Sequence, residues 1–118
     1  MIHVTQHVYK TVEIGEQTWM AENLAYLPKV NKPAAAATCE GEPLYFVYDY
    51  DGEDVNAAKN TETYKTYGVL YNWYAAMNKE NEEGKDADAV PSGVQGICPS
   101  GWHLPSKAEW KIIRKFCS

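Results

Sequence analysis

The stretch Cys98-Pro99-Ser100-Gly101-Trp102-His103-Leu104-Pro105-Ser106-Lys107-Ala108-Glu109-Trp110 constrains the fold of this chain more than any other. Two prolines and a glycine force a turn, two tryptophans bracket it, and a helix start follows at once. Ser106 and Glu109 have the spacing of a capping box: the Ser hydroxyl accepts from the Glu109 amide while the Glu carboxylate reaches back to the Ser106 amide. Pro105 and Trp110 occupy the two hydrophobic-staple positions on either side of that cap. This is an architectural signal. It says how the chain turns and names no reaction.

The helix it launches carries Trp110, Ile113 and Cys117 on one stripe, widened by Ile112 and Phe116, with Lys111, Arg114 and Lys115 left to face water near its C-terminal end. A second helix is predicted over Tyr64–Asn78, where Leu70, Trp73 and Met77 recur at spacings of three and four. On this periodicity Trp73 and Trp110 are core residues. Residues 2 to 20 read as strands. Val8, Lys10, Val12 and Ile14 alternate with Tyr9, Thr11 and Glu13, and Gly15-Glu16 fits a two-residue type II′ hairpin turn before a return strand at Gln17–Met20. Ala21–Leu27 reads as a short helical turn ended by Pro28. Residues 28 to 43 read as a loop, in which Ala34–Ala37 is too short to hold a helix alone. Leu44–Tyr50 is β-prone, and residues 79 to 96 read as an exposed acidic loop.

At 118 residues the chain is one domain, 1–118. Its net charge of −5, without a basic cluster, argues against nucleic acid or an anionic membrane as partner. No apolar run approaches the roughly 20 residues of a membrane span. Met1 leads into a short alternating segment with neither the basic start nor the apolar centre of a signal peptide. Nine tyrosines and four tryptophans far outnumber two phenylalanines, a bias toward rings with a polar handle that suits wet loops and binding faces.

Candidate chemistry is sparse. Cys39, Cys98, His103 and Cys117 lack the two-to-four-residue ligand pairing of closed zinc sites, so no cofactor is expected. A Cys39–Cys98 disulfide is the better use of two of these cysteines, pinning the proline-rich loop to the turn before the helix that starts after Ser106. Asp49, Asp51 and Asp54 fail the EF-hand register, because the sixth and twelfth places fall on Asp54 and Asn60; an acidic surface turn is the default, with a calcium loop of another kind as the alternative. A Cys98–His103 nucleophilic dyad has no evident third group to orient it. Tyr45, Tyr48, Tyr50 and Trp102 are the candidate ligand-facing aromatics, because flat rings stack on the apolar faces of sugars.

Three blocks together resemble a known family. Tyr9-Lys10-Thr11-Val12-Glu13-Ile14-Gly15-Glu16-Gln17-Thr18-Trp19-Met20-Ala21-Glu22-Asn23-Leu24 looks like the opening signature of the Fibrobacter succinogenes major paralogous domain. Tyr67-Gly68-Val69-Leu70-Tyr71-Asn72-Trp73 with Ala75-Ala76-Met77 resembles its second block, and Gly96 through Trp110 its third. The resemblance implies a secreted or surface protein, often a lipoprotein, of Bacteroidetes and related bacteria, and so an extracellular or cell-envelope location with the leader absent from the given chain. The block Leu104-Pro105-Ser106-Lys107-Ala108-Glu109-Trp110 is also similar to the Leu-Pro-Thr-x-Ala-Glu-Trp signature of formylglycine-generating sulfatase-modifying factors. That similarity implies an α+β, C-type-lectin-like fold, with two helices packed on a small antiparallel sheet.

Family members usually run well past the Glu-Trp helix, so the resemblance implies that 1–118 is the N-terminal part of a truncated domain. The catalytic cysteines of the sulfatase-modifying factors lie in that later region, and none carries over; His103 also stands where those enzymes generally have Arg. The expected function is therefore a non-catalytic binding or adhesion module whose partner is carbohydrate or another surface protein. The alternatives are an enzyme related to the sulfatase-modifying factors and a structural domain of a pilus-like surface assembly. Two helices and a few short strands leave apolar faces uncovered, which predicts self-association.

Overall fold

The computed structural model describes residues 8–38, 41–78 and 93–116. They form a mixed α/β arrangement of five helices and two small antiparallel sheets. The first sheet is the hairpin of β1 (Thr11–Ile14) and β2 (Gln17–Met20), in the register Val12 to Trp19 and Ile14 to Gln17. Gly15 takes a φ of 63°, the positive value that a type II′ turn requires of its first central residue. The expected strand run from residue 2 is shorter in the structure: regular pairing begins at Thr11, with one further bond from the Ala21 amide to the Lys10 carbonyl. Residues 2–7 of that run lie outside the described residues.

Ala21–Leu27 is not helical. It opens an irregular strap, Asn23–Asn31, whose backbone is paired from outside. The Tyr9 hydroxyl accepts from the Ala25 amide at 2.9 Å, Tyr64 donates to the Ala25 carbonyl at 2.8 Å, and Tyr71 donates to the Tyr26 carbonyl at 2.6 Å. At the end of the strap, the Asn31 amide donates to the Tyr45 carbonyl while its side-chain oxygen accepts from the Tyr45 amide. Local helix propensity loses here because these partners, distant in sequence, satisfy the same polar groups in an extended path.

Beyond the strap, Ala35–Thr38 forms one exposed helical turn, α1, where a loop was expected. β3 (Tyr45–Phe46) is then followed by α2 (Val55–Lys59). Asp54, from the acidic turn, caps α2 by accepting from the amides of Asn56 and Ala57. The single helix expected over Tyr64–Asn78 is instead three elements: α3 (Glu62–Tyr67), β4 (Leu70–Tyr71) and α4 (Trp73–Met77). The break has two causes. Gly68 takes a φ of 69° against the strap, where a Cβ would stand 2.7 Å from the Leu24 carbonyl oxygen. Asn72 then starts a new helix. Its side-chain oxygen accepts from the amides of Leu44 and Ala75, and its side-chain nitrogen donates to the Glu42 carbonyl. Between these two residues the chain extends and pairs with β3, Tyr45 opposite Tyr71. Leu70 is consequently 50% exposed rather than on a buried stripe.

The core gathers Leu27 and Val30 of the strap, Tyr45 and Val47, Ala58 of α2, Val69, and Ala75 of α4. Met77 is fully buried beside it at 1% exposure, a burial worth roughly 1.5–3 kcal/mol. α5 (Lys107–Arg114) contributes no buried residue. It rests on the hairpin: the Gln17 side-chain amide donates to the Glu109 carbonyl, and the Trp19 and Trp110 rings meet at a centroid distance of 4.9 Å.

Gly68→Ala should test the strap contact. The substitution places a methyl group on the Leu24 carbonyl and forces a positive φ on a residue with a Cβ, at a cost of about 1–3 kcal/mol. A denaturant midpoint unchanged from the parent would contradict the assignment.

Candidate functional site

The hairpin forms one wall of a groove of about 980 Å³, the strap and β4 a second, and the block from Ile97 to Trp110 the third. Trp19, Trp102 and Trp110 line it, with Gln17, Asn23, His103 and Glu109 among the polar groups that face it. The Trp19 and Trp110 rings are tilted by 48° to each other. The indole N–H of Trp19 donates to the Gln17 side-chain oxygen at 3.0 Å, and the Gln17 nitrogen donates to the Glu109 carbonyl at 3.2 Å. Gln17 thus fixes the Trp19 ring and ties the hairpin to α5 with one amide.

At the helix start beside the groove stands the capping box, of which Glu109 lines the groove. The Ser106 hydroxyl accepts from the Glu109 amide at 3.3 Å, and one Glu109 carboxylate oxygen accepts from the Ser106 amide at 2.9 Å. The other carboxylate oxygen lies 2.7 Å from Nε2 of His103. An ionised carboxylate has no proton to give, so this bond places the proton of a neutral His103 on Nε2. Burial acts to raise the Glu109 carboxyl, but the Ser106 amide, the His103 ring and the Ser106 hydroxyl outweigh it and hold the group below its ordinary value. The box that starts the helix therefore also fixes a histidine at the groove.

Cys98 lines the same groove, and burial pushes its thiol up, keeping it protonated and weakly nucleophilic. Its expected partner, Cys39, lies outside the described residues, so the pairing does too. Among the described residues no group of three His, Cys, Asp or Glu side chains converges as a metal site. No helix among them is long and apolar enough to cross a membrane.

The four aromatics singled out by sequence are separated. Trp102 lines the groove. Tyr45 is 9% exposed, inside the core, with its ring edge-on to Tyr71. Tyr48, 61% exposed, and Tyr50 line a second, smaller groove of about 440 Å³ with Phe46, Asp49 and Asp51. The Tyr50 hydroxyl is engaged with the Asp54 backbone. Trp110, expected in the core, is 52% exposed. The periodicity correctly put it on the apolar stripe of its helix, but that stripe meets the hairpin and the groove rather than the core. Trp19, Gln17 and the His103–Glu109 pair were not anticipated. The capping box held the one usable signal, because it turns the Glu109 side chain back over the loop that carries His103.

The sequence profile of the Fibrobacter succinogenes major domain matches residues 12–118. The chain belongs to this family. The match includes the hairpin, the strap and all three walls of the groove. No curated protein and no solved structure matches the chain.

A carboxyl held below its ordinary value stabilises the fold above the unfolded pKa, and the contribution disappears as pH falls through the folded one. Glu109→Gln should therefore be less stable than the parent at pH 7, by about 1 kcal/mol, and the gap should narrow at pH 3, below the ordinary carboxylate range. Urea titrations at the two pH values check this, and a gap of equal size at both would contradict it.

Proposed function

We propose that this chain is a non-catalytic binding module of secreted or cell-envelope proteins and that its groove takes saccharide. One observation carries the reading: three tryptophans and a set of fixed hydrogen-bonding side chains face a single groove of about 980 Å³, within the size range of small-molecule sites. Tryptophan faces supply apolar stacking area, and Gln17, Asn23, His103 and Glu109 supply donors and acceptors, the combination that a sugar's apolar faces and hydroxyl edges require. The protonated Cys98 thiol favours binding over covalent chemistry. Family membership supports the envelope location, and the likeness of the Leu104–Trp110 block to the sulfatase-modifying factors supports a C-type-lectin-like architecture; neither supplies a ligand, since fold does not carry function.

A glycan array probed with the chain tests the reading. Retention on at least one saccharide class is expected, and Trp102→Ala should weaken it by tenfold or more, about 1.4 kcal/mol, with the thermal unfolding midpoint unchanged. Failure to bind any saccharide on the array would contradict the proposal.

A further inference from the structure

The charges around the groove deepen this reading. No lysine or arginine among the described residues lines it. Its ionisable side chains other than tyrosine and cysteine are three carboxylates, Glu16, Glu22 and Glu109, together with His103. Two of the carboxylates already serve the chain itself: Glu22 accepts from the Lys10 amide at 2.8 Å, and Glu109 accepts from the Ser106 amide and the His103 ring. Glu16, on the exposed hairpin turn, stands at the rim.

Fixed carboxylates beside aromatic faces suit one ligand chemistry and oppose another. A neutral saccharide presents hydroxyl donors to carboxylate oxygens and apolar ring faces to indoles. A uronate or a sulfated or sialylated sugar brings like charge against three carboxylates, and among the described residues no guanidinium or ammonium lines the groove to receive it. A cationic ligand would gain from the charge too, yet the Lys10 and Ser106 amides and the His103 ring already meet part of the charge of Glu22 and Glu109, while each carboxylate keeps lone pairs for a hydroxyl donor. Resting on the saccharide reading of this groove, we infer that it selects neutral glycans and discriminates against anionic ones by the carboxylates of Glu16, Glu22 and Glu109.

The test is titration of the chain's tryptophan fluorescence, at low ionic strength, with four hexasaccharides: cellohexaose and xylohexaose as neutral probes, hexagalacturonate as the anionic probe and glucosamine hexaose as the cationic one. A neutral probe should bind at least tenfold more tightly than hexagalacturonate, a difference that added salt narrows. Glu16→Lys, a change on an exposed turn, should raise hexagalacturonate affinity several-fold and leave the unfolding midpoint in place. Hexagalacturonate binding as tightly as the neutral probes, glucosamine hexaose binding tenfold more tightly than they do, or a Glu16→Lys variant with unaltered discrimination would each overturn the inference while leaving a saccharide site standing. Silence toward all the probes would overturn the inference and count against the saccharide reading with it.

Discussion

An irregular backbone running through the middle of a small protein must find a partner for every amide and carbonyl it buries. In this chain the Asn23–Asn31 strap finds three of them in tyrosine hydroxyls. Tyr9, Tyr64 and Tyr71 come from three separate places in the sequence and close on two adjacent residues, Ala25 and Tyr26. Each such bond contributes only about 1 kcal/mol net, but a buried group left without it costs about 1–3 kcal/mol. This accounts for three of the nine tyrosines, in a chain with only two phenylalanines. A phenylalanine could fill the same space, but it could not hold the backbone. The Tyr64 and Tyr71 rings pack against the core cluster while their hydroxyls reach the strap, so packing and pairing are done by the same side chains.

Once the strap is held extended, the rest of the architecture follows from it. Leu27 and Val30 enter the core from it. Leu24 receives the Val69 amide and leaves Gly68 the only residue type that fits beside its carbonyl, which ends α3 and frees Leu70–Tyr71 to pair with β3. The outer edge of the strap becomes a wall of the groove. The opposite side is set by the hairpin and by α5, which meet through Gln17 and through Trp19 against Trp110. The groove is thus bounded by one segment that is held by side chains and two segments that hold each other.

Local signals were legible in the sequence and distant ones were not. The capping box at Ser106 and Glu109 forms as its spacing predicts, because every atom it needs lies within four residues. The two-residue hairpin turn at Gly15 forms for the same reason. The helix read over Tyr64–Asn78 was periodic in its apolar residues, but periodicity cannot see the Leu24 carbonyl against Gly68 or the Leu44 amide waiting for Asn72. The Ala21–Leu27 turn failed in the same way, overruled by three hydroxyls from elsewhere in the chain. At the site, Trp102 was legible as a ring in a turn. Trp110 was legible as apolar but not as a groove residue, since a stripe says which face seeks cover and not what meets it. Tyr45 shows the converse: an aromatic in a β-prone run that fills the core and offers no face to a ligand.

The strap holds its path only while the hydroxyls of Tyr9, Tyr64 and Tyr71 keep their backbone bonds. Burial raises the phenols of Tyr9, Tyr64 and Tyr71, with Tyr71 far above its ordinary range and pushed further by the neighbouring Tyr9 and Tyr64. A group whose folded pKa is raised stabilises the fold fully below its unfolded value, here 10.0, and loses that contribution as pH climbs toward the folded one. Phenolate absorbance followed with near-ultraviolet circular dichroism through alkaline pH measures this directly. The phenols of Tyr9, Tyr64 and Tyr71 should ionise only as the native signal is lost. A single reversible step near pH 10 that takes all nine while the native signal persists would contradict it.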